Sequence, residues 1–215
     1  GVDTFEADSI VVNVFDPAPV LSISGNNSVA EGGEFVLSLS AGGEGAASIT
    51  KWTINWGDGT IQVVSGDPDS VTHQYADGDA NFTIHATATN SYGTYAADDI
   101  VVNVTDVDAT VEISGNETAD GGTSYVLILS STDPGDDTIT HWTINWGDGT
   151  IEQVNGNPSS VTHEYANVNG QYTITASATD EDGTYQANTI EVSVVKDTVP
   201  MVNYDNYTIA SYGQT

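Results

Sequence analysis

The sequence predicts an all-β chain made of tandem β-sandwich domains, with about seven strands in each. Three observations carry this. Ten residues, WTINWGDGTI at 52–61, return unchanged at 142–151, about 90 positions later. Apolar and polar residues alternate in run after run, the period-2 mark of a strand with one buried face. Turn residues punctuate the chain about every ten residues, and no stretch carries a helical period.

The repeated stretch organises each domain. Trp52, Ile54 and Trp56 share one face of a strand, with Thr53 and Asn55 on the other. A row of large apolar groups reads as core before it reads as a sugar-stacking platform. Gly57-Asp58-Gly59 then breaks the run, and Asp-Gly is a strong hairpin signal because glycine reaches φ > 0 without steric cost. Residues 60–64 read as the return strand.

The other strands of the first repeat follow in order. Residues 20–24 form a short first strand. Residues 34–40 carry Phe35, Leu37 and Leu39 on one face. The central strand spans 49–56. Residues 70–75 alternate Val71, His73 and Tyr75; residues 82–89 turn Phe82, Ile84, Ala86 and Ala88 inward. Residues 95–104 close the unit with Ile100, Val102 and Val104.

Residues 16–105 align with 106–195 without a gap, and roughly half the positions are identical. Residues 4–14 repeat the pattern of 94–104, and 205–208 echo 25–28 and 115–118. The expected division is therefore 1–15 as the last strand of a preceding repeat, 16–105 and 106–196 as two full repeats, and 197–215 as the first strand of a following one. Such an array draws its stability from units and their interfaces. The linkers at 15–19 and 105–109 are short, and Pro17 and Pro19 stiffen the first.

Composition narrows the function. The chain has 215 residues and no cysteine, so neither a disulfide nor a cysteine-based zinc site is available. The longest apolar runs are only a few residues, which leaves no transmembrane helix and no signal peptide to expect. Acidic residues number 31 against two basic ones, Lys51 and Lys196, for a net charge of −29. Nucleic acid and anionic membrane surfaces call for basic footprints, so they are excluded as partners. The acidity fits a salty medium that screens repulsion, and it attracts cations.

The ordered motifs resemble a known family. WGDG after a strand, then Val-Thr-His-x-Tyr-Ala, then a strand ending in Ala-x-Ala-Thr-(Asn/Asp)-x-x-Gly, is similar to the polycystic kidney disease (PKD) domain. Ile54, Asn55 and Trp56 stand where the family has tryptophan, aspartate and phenylalanine, and the GDG is kept at Gly57-Asp58-Gly59 and Gly147-Asp148-Gly149. The resemblance covers both full repeats. It implies immunoglobulin-like sandwiches in an elongated array, extracellular or at the cell surface, serving as spacers, adhesion modules or substrate-binding appendages and not as enzymes. Fold alone does not fix function.

Each candidate site has a structural reading beside the chemical one. His73 and His163 are expected as structural residues near the GDG turns, with Tyr75 and Tyr165 pinning the corner; no nucleophile or metal-ligand spacing accompanies them. His85 and His141 are not shared between repeats. Asp58 and Asp148 are expected to accept backbone N–H bonds of their own turns. Trp52, Trp56, Trp142 and Trp146 complete the structural set.

Calcium is the cofactor the acidic loops suggest. The start of the first strand, the loop before the central strand and the loop before the last strand meet at one pole of such a sandwich. Repeat two supplies Asp106 and Asp108 in the first, Asp133, Asp136 and Asp137 in the second, and Asp180, Glu181 and Asp182 in the third. Calcium takes six to eight oxygen ligands from such segments, and the resemblance implies calcium at this pole in some secreted relatives. Repeat one keeps Asp16 but loses the other acidic loops, so its site is expected to be weaker or missing. Asp77 and Asp79 lie at the opposite end of repeat one. Asn26, Asn116, Asn206, Asn81 and Asn103 begin N-x-Ser/Thr glycosylation sequons.

The expected function is a non-catalytic structural or adhesive repeat segment of a large secreted or surface-anchored protein, an extended stalk or fibre stiffened by calcium. Its partners would be neighbouring repeats, identical chains in a filament, or surface proteins and glycans. One alternative is a polymer- or carbohydrate-binding module of a secreted hydrolase, for which Tyr92 and Tyr95 are the best exposed aromatics. Another is a filament subunit assembling by strand addition.

Overall fold

The computed structural model describes residues 1–5, 8–11 and 18–198. It divides into two compact units: residues 1–108 with 133–137, and the remainder. Residues 1–5 and 8–11 carry no strand. Residues 6–7, 12–17 and 199–215, with Asp16, Asn206 and most of the strand expected at 197–215, lie outside the described residues.

Unit 1 is a sandwich of two sheets. The smaller has the order β1 (Val20–Ser24), β3 (Glu34–Gly42), β6 (Ser70–Gln74). The larger has the order β2 (Ser28–Ala30), β9 (Ile100–Thr105), β7 (Ala80–Thr89), β4 (Lys51–Asn55), β5 (Ile61–Ser65), with β8 (Thr94–Ala96) also on β7. Register explains why β4 is central. Trp52 faces Ala88 and Ile54 faces Ala86 across the β4–β7 pair. Small side chains beside large ones let the indole lie flat in the core without a void. Trp52, Ile54 and Trp56 are fully buried and pack with Phe35, Leu37, Tyr75, Ile84 and Val102.

Three features depart from the expected strands. The run at 95–104 is split, because the exposed carboxylates of Asp98 and Asp99 interrupt it between β8 and β9. β2 was not expected; three residues are too short to show a period, and β2 exists by pairing parallel to β9. A 3₁₀ turn at Glu44–Ser48 adds a helical turn where none was expected.

Unit 2 repeats the plan. Its smaller sheet has the order β10 (Thr110–Gly115), β12 (Ser124–Thr132), β15 (Ser160–Glu164). Its larger sheet has the order β11 (Thr118–Asp120), β18 (Ile190–Val195), β16 (Gly170–Thr179), β13 (His141–Asn145), β14 (Ile151–Asn155), with β17 (Thr184–Gln186) on β16. Trp142, Ile144 and Trp146 fill its separate core. Among the described residues, no helix is long and apolar enough to cross a membrane.

Candidate metal-binding site

The parallel β2–β9 pair positions the site. Ala30 is in register with Thr105, so the next residues, Glu31 and Asp106, leave the same end of the sheet together. The Glu31 N–H donates to the Thr105 carbonyl at 3.0 Å, which holds that exit. The Glu31 side chain is only 1% exposed. Its Oε2 accepts the Gly78 N–H at 2.6 Å and its Oε1 accepts the Val107 N–H at 3.1 Å.

Carboxylates gather around it. Asp106 donates its backbone N–H to Asp79 Oδ1 at 3.1 Å. The 133–137 loop of unit 1 is held by the Asp136 N–H, which donates to the Ala76 carbonyl at 2.8 Å. Within that loop Asp133 Oδ1 accepts the Gly135 N–H at 2.8 Å. Glu31, Asp133 and Asp137 each bring one carboxylate oxygen within 4.8 Å of the others. Asp106 Oδ1 and Asp133 Oδ2 are buried and have no hydrogen-bond partner among the described residues. The Asp106 carboxyl is pushed above the usual range, first by partial burial, then by the negative charges of Glu31, Asp108 and Asp79.

Glycines allow this crowding. A Cβ on Gly135 would stand 2.7 Å from the Glu31 carboxyl carbon, and one on Gly78 would strike the Asp106 backbone nitrogen. The resulting arrangement offers hard oxygen donors only, which suits calcium or magnesium and not a soft metal. Calcium ligands at about 2.3–2.6 Å stand at most about 5 Å apart across the ion, in keeping with these separations.

Of the acidic residues the sequence singled out, Asp106, Asp133 and Asp137 are brought to Glu31. Asp108 and Asp136 are exposed side chains at its margin. Asp180 and Asp182 belong to unit 2, where Asp180 Oδ1 accepts the Asp182 and Gly183 N–H groups at 3.0 and 2.8 Å. Glu31 escaped the sequence reading. Its signal was a glutamate where the other repeat has Gly121.

Unit 2 supplies an internal comparison. At the positions equivalent to Glu31, Asp77, Asp79, Asp106 and Asp108 it has Gly121, Asn167, Asn169, Lys196 and Thr198. The Lys196 N–H donates to Asn169 Oδ1 at 2.7 Å, as Asp106 does to Asp79. A neutral amide therefore holds this backbone as well as a carboxylate does. Carboxylates also stand at Asp120 and Asp197, where unit 1 has Ala30 and Val107.

The remaining sites are tied into the core. His73 Nε2 lies 2.7 Å from Asp58 Oδ2, and His163 Nε2 lies 2.8 Å from Asp148 Oδ2. Each imidazole stacks on a tryptophan, Trp56 at 4.6 Å and Trp146 at 4.5 Å between ring centroids. The Tyr75 and Tyr165 hydroxyls donate to the Trp56 and Trp146 carbonyls, both at 3.1 Å. Burial and the Asp58 charge push the Tyr75 hydroxyl far above its usual range. All four tryptophans are fully buried, which withdraws them from sugar stacking. Tyr92 is exposed, whereas Tyr95 is half-buried. Among the sequons, Asn26 and Asn116 are exposed in turns after β1 and β10, while Asn103 is half-buried and donates to Asn81 at 3.4 Å.

The PKD domain family matches residues 16–105 and 107–194. Comparison with curated proteins finds no match. Among solved structures, the three N-terminal domains of the Highly Immunogenic Outer Capsid protein (Hoc) of bacteriophage RB49 are 16% identical, with 82% of this chain and 59% of that chain covered and a TM-score of 0.33. The N-terminal four Ig domains of Dscam1 isoform 6.9 are 14% identical, with 82% and 46% covered and a TM-score of 0.44. The alignments thus span about half the length of those structures.

Proposed function

Because this chain belongs to the PKD domain family through both of its repeats, we propose that it is a calcium-binding segment of a larger secreted or surface-anchored protein, where it serves as a stalk. Tandem PKD repeats form a non-catalytic structural or adhesion module. Here the proposed task is to span distance and to connect other parts of the parent protein. Calcium would be held by Glu31, Asp106, Asp133 and Asp137, with Asp77 bringing an oxygen within 4.8 Å of one on Asp137.

One observation carries the calcium reading: two buried carboxylate oxygens, on Asp106 and Asp133, lack hydrogen-bond partners among the described residues. Buried charge without compensation costs several kcal/mol, so a cation is the natural complement. The uncharged or basic counterparts of these carboxylates in unit 2, Gly121, Asn167, Asn169, Lys196 and Thr198, support the same reading. Bound calcium would tie the β2–β9 end of unit 1 to the 133–137 loop and stiffen it.

The test is a thermal melt in calcium and in chelator at matched ionic strength. Calcium at ten times its Kd adds about 1.4 kcal/mol, on the order of 6–11 °C for a domain of this size. The expected result is that rise in the unit 1 transition. A melt unmoved by calcium in both units would overturn the calcium reading and leave the acidity as solvation in a salty medium.

A further inference from the structure

Among the described residues, the first strand of each unit lies at a sheet edge, and the two units treat that edge differently. In unit 2, Asn188 clamps the β10 edge. Its Oδ1 accepts the Ile113 N–H at 2.9 Å and its Nδ2 donates to the Ile113 carbonyl, also at 2.9 Å. The side-chain amide thereby presents one acceptor and one donor, as the backbone of an added strand would. The clamp also shows that the Ile113 N–H and C=O point away from β12.

Unit 1 keeps the register and loses the clamp. Ile23 faces Leu39 as Ile113 faces Leu129, so its N–H and C=O also point outward. The residue equivalent to Asn188 is Asp98. A carboxylate has no N–H to give the Ile23 carbonyl. Among the described residues, Asp98 and Ile23 make no hydrogen bond to each other, and the Asp98 side chain is exposed.

A second difference runs the same way. Exposed sheet edges are ordinarily blunted by charge. Three of the unit 2 edge strands, β10, β14 and β15, each carry a glutamate, Glu112, Glu152 and Glu164. Unit 1 has Ser22, Gln62 and Gln74 in their places. In a chain with 31 acidic residues, unit 1 leaves these strands free of carboxylates.

We infer that the β1 edge of unit 1 is a docking site for an extended polypeptide strand carrying a lysine or arginine opposite Asp98. The strand would exchange both backbone hydrogen bonds with Ile23, as Asn188 does with Ile113. Its basic side chain would meet the exposed carboxylate of Asp98, which stands at the position of Asn188 and repels an acidic strand, whereas the Asp99 carboxylate is engaged by His85 at 2.7 Å. Val20, 71% exposed on β1, offers an apolar cross-strand neighbour. A second copy of this chain, with 31 acidic residues against Lys51 and Lys196, is disfavoured by its net charge of −29.

The test uses the full chain and a synthetic peptide, acetyl-Thr-Val-Lys-Val-Thr-amide, with the amide resonances of Leu21 and Ile23 followed by NMR. Titrations in calcium and in chelator separate this site from the calcium reading, on which it does not depend. The lysine peptide should shift both resonances. A glutamate-for-lysine peptide should bind about tenfold more weakly, and a backbone N-methylated peptide should not bind. Asp98→Asn should install the clamp and abolish binding, while Asn188→Asp should open a second site at Ile113. Unmoved Leu21 and Ile23 resonances, or full binding to the Asp98→Asn chain, would overturn the proposal. So would a peptide-free dimer that Asp98→Asn dissolves, because the edge would then belong to a second copy.

Discussion

Asp58 closes the central hairpin of unit 1 onto His73 with a 2.7 Å contact between side chains that are only 18% and 12% exposed. The same carboxylate accepts the Thr60 N–H at 2.8 Å through its other oxygen. Thus one side chain shapes the GDG turn and ties it to β6 in the opposite sheet. Asp148 and His163 repeat the relationship in unit 2.

The pH dependence follows from this geometry. Burial by itself raises the Asp58 carboxyl. The Thr60 backbone, the His73 ring and the Thr60 hydroxyl outweigh it and hold the group below the usual carboxylate range. A carboxyl depressed in the folded state stabilises above its unfolded pKa of about 4 and loses that contribution as pH falls through the folded value. Asp58→Asn should therefore destabilise unit 1 by about 1–2 kcal/mol at pH 7. The gap to the unsubstituted chain should narrow as pH drops below about 4. Urea melts across pH 2–7 read this directly, and a gap independent of pH would refute it.

Glu31→Gln should separate the two roles of that side chain. Glutamine still accepts the Gly78 or Val107 N–H, but it removes a charge that crowds Asp106. In chelator the variant should match or exceed the parent in stability. In calcium it should lose most of the rise, about 1 kcal/mol or more at ten times the parental Kd. Lys196 and Asn169 stand in the equivalent place in unit 2, so that transition should not move. Calorimetric titration of calcium into both chains checks the result, and an unchanged affinity would exclude Glu31 from the site.

The sequence announced some of these parts and hid others for a physical reason. Trp52, Ile54 and Trp56 announce β4 because a half-buried strand must alternate. The GDG turn is legible because glycine is required there. β2 is not, since three residues carry no period and their only reason to be extended is a parallel partner, β9, some 75 positions away. Glu31 is hidden by the same fact, for it meets Asp106 only through that pairing. Asp180 was legible by its spacing alone: one oxygen caps its own turn, and the other is buried with no hydrogen-bond partner among the described residues.

The two glycines of the hairpin should differ sharply in their tolerance of alanine. Gly57 and Gly59 both have positive φ, 90° and 96°. A Cβ on Gly57 would stand 2.7 Å from the Thr83 carbonyl oxygen, whereas nothing lies within 4 Å of one on Gly59. Gly59→Ala should cost only the left-handed backbone strain, about 1–2 kcal/mol. Gly57→Ala adds a clash with the backbone of β7 and should cost about 3 kcal/mol or more. Gly147→Ala and Gly149→Ala should repeat the contrast, since Gly147 faces the Thr173 carbonyl oxygen at 2.6 Å. Equal costs for both glycines of a pair, measured by urea unfolding, would argue against it.

Tyr75→Phe and Tyr165→Phe should destabilise their units by similar amounts. Both hydroxyls are buried and donate to a tryptophan carbonyl at 3.1 Å. The phenyl ring keeps the packing, with Tyr75 stacked on Phe82 at 4.8 Å and Tyr165 on Tyr172 at 4.9 Å. What is lost is the hydrogen bond, and with it the partner of a carbonyl at the end of the central strand. An orphaned buried acceptor costs about 1–3 kcal/mol. Each substitution should lower only its own transition, because the two tyrosines lie in separate cores. A double variant should then show the sum of the single losses. Loss of less than about 0.5 kcal/mol would mean that water or a shifted backbone satisfies the Trp56 and Trp146 carbonyls instead.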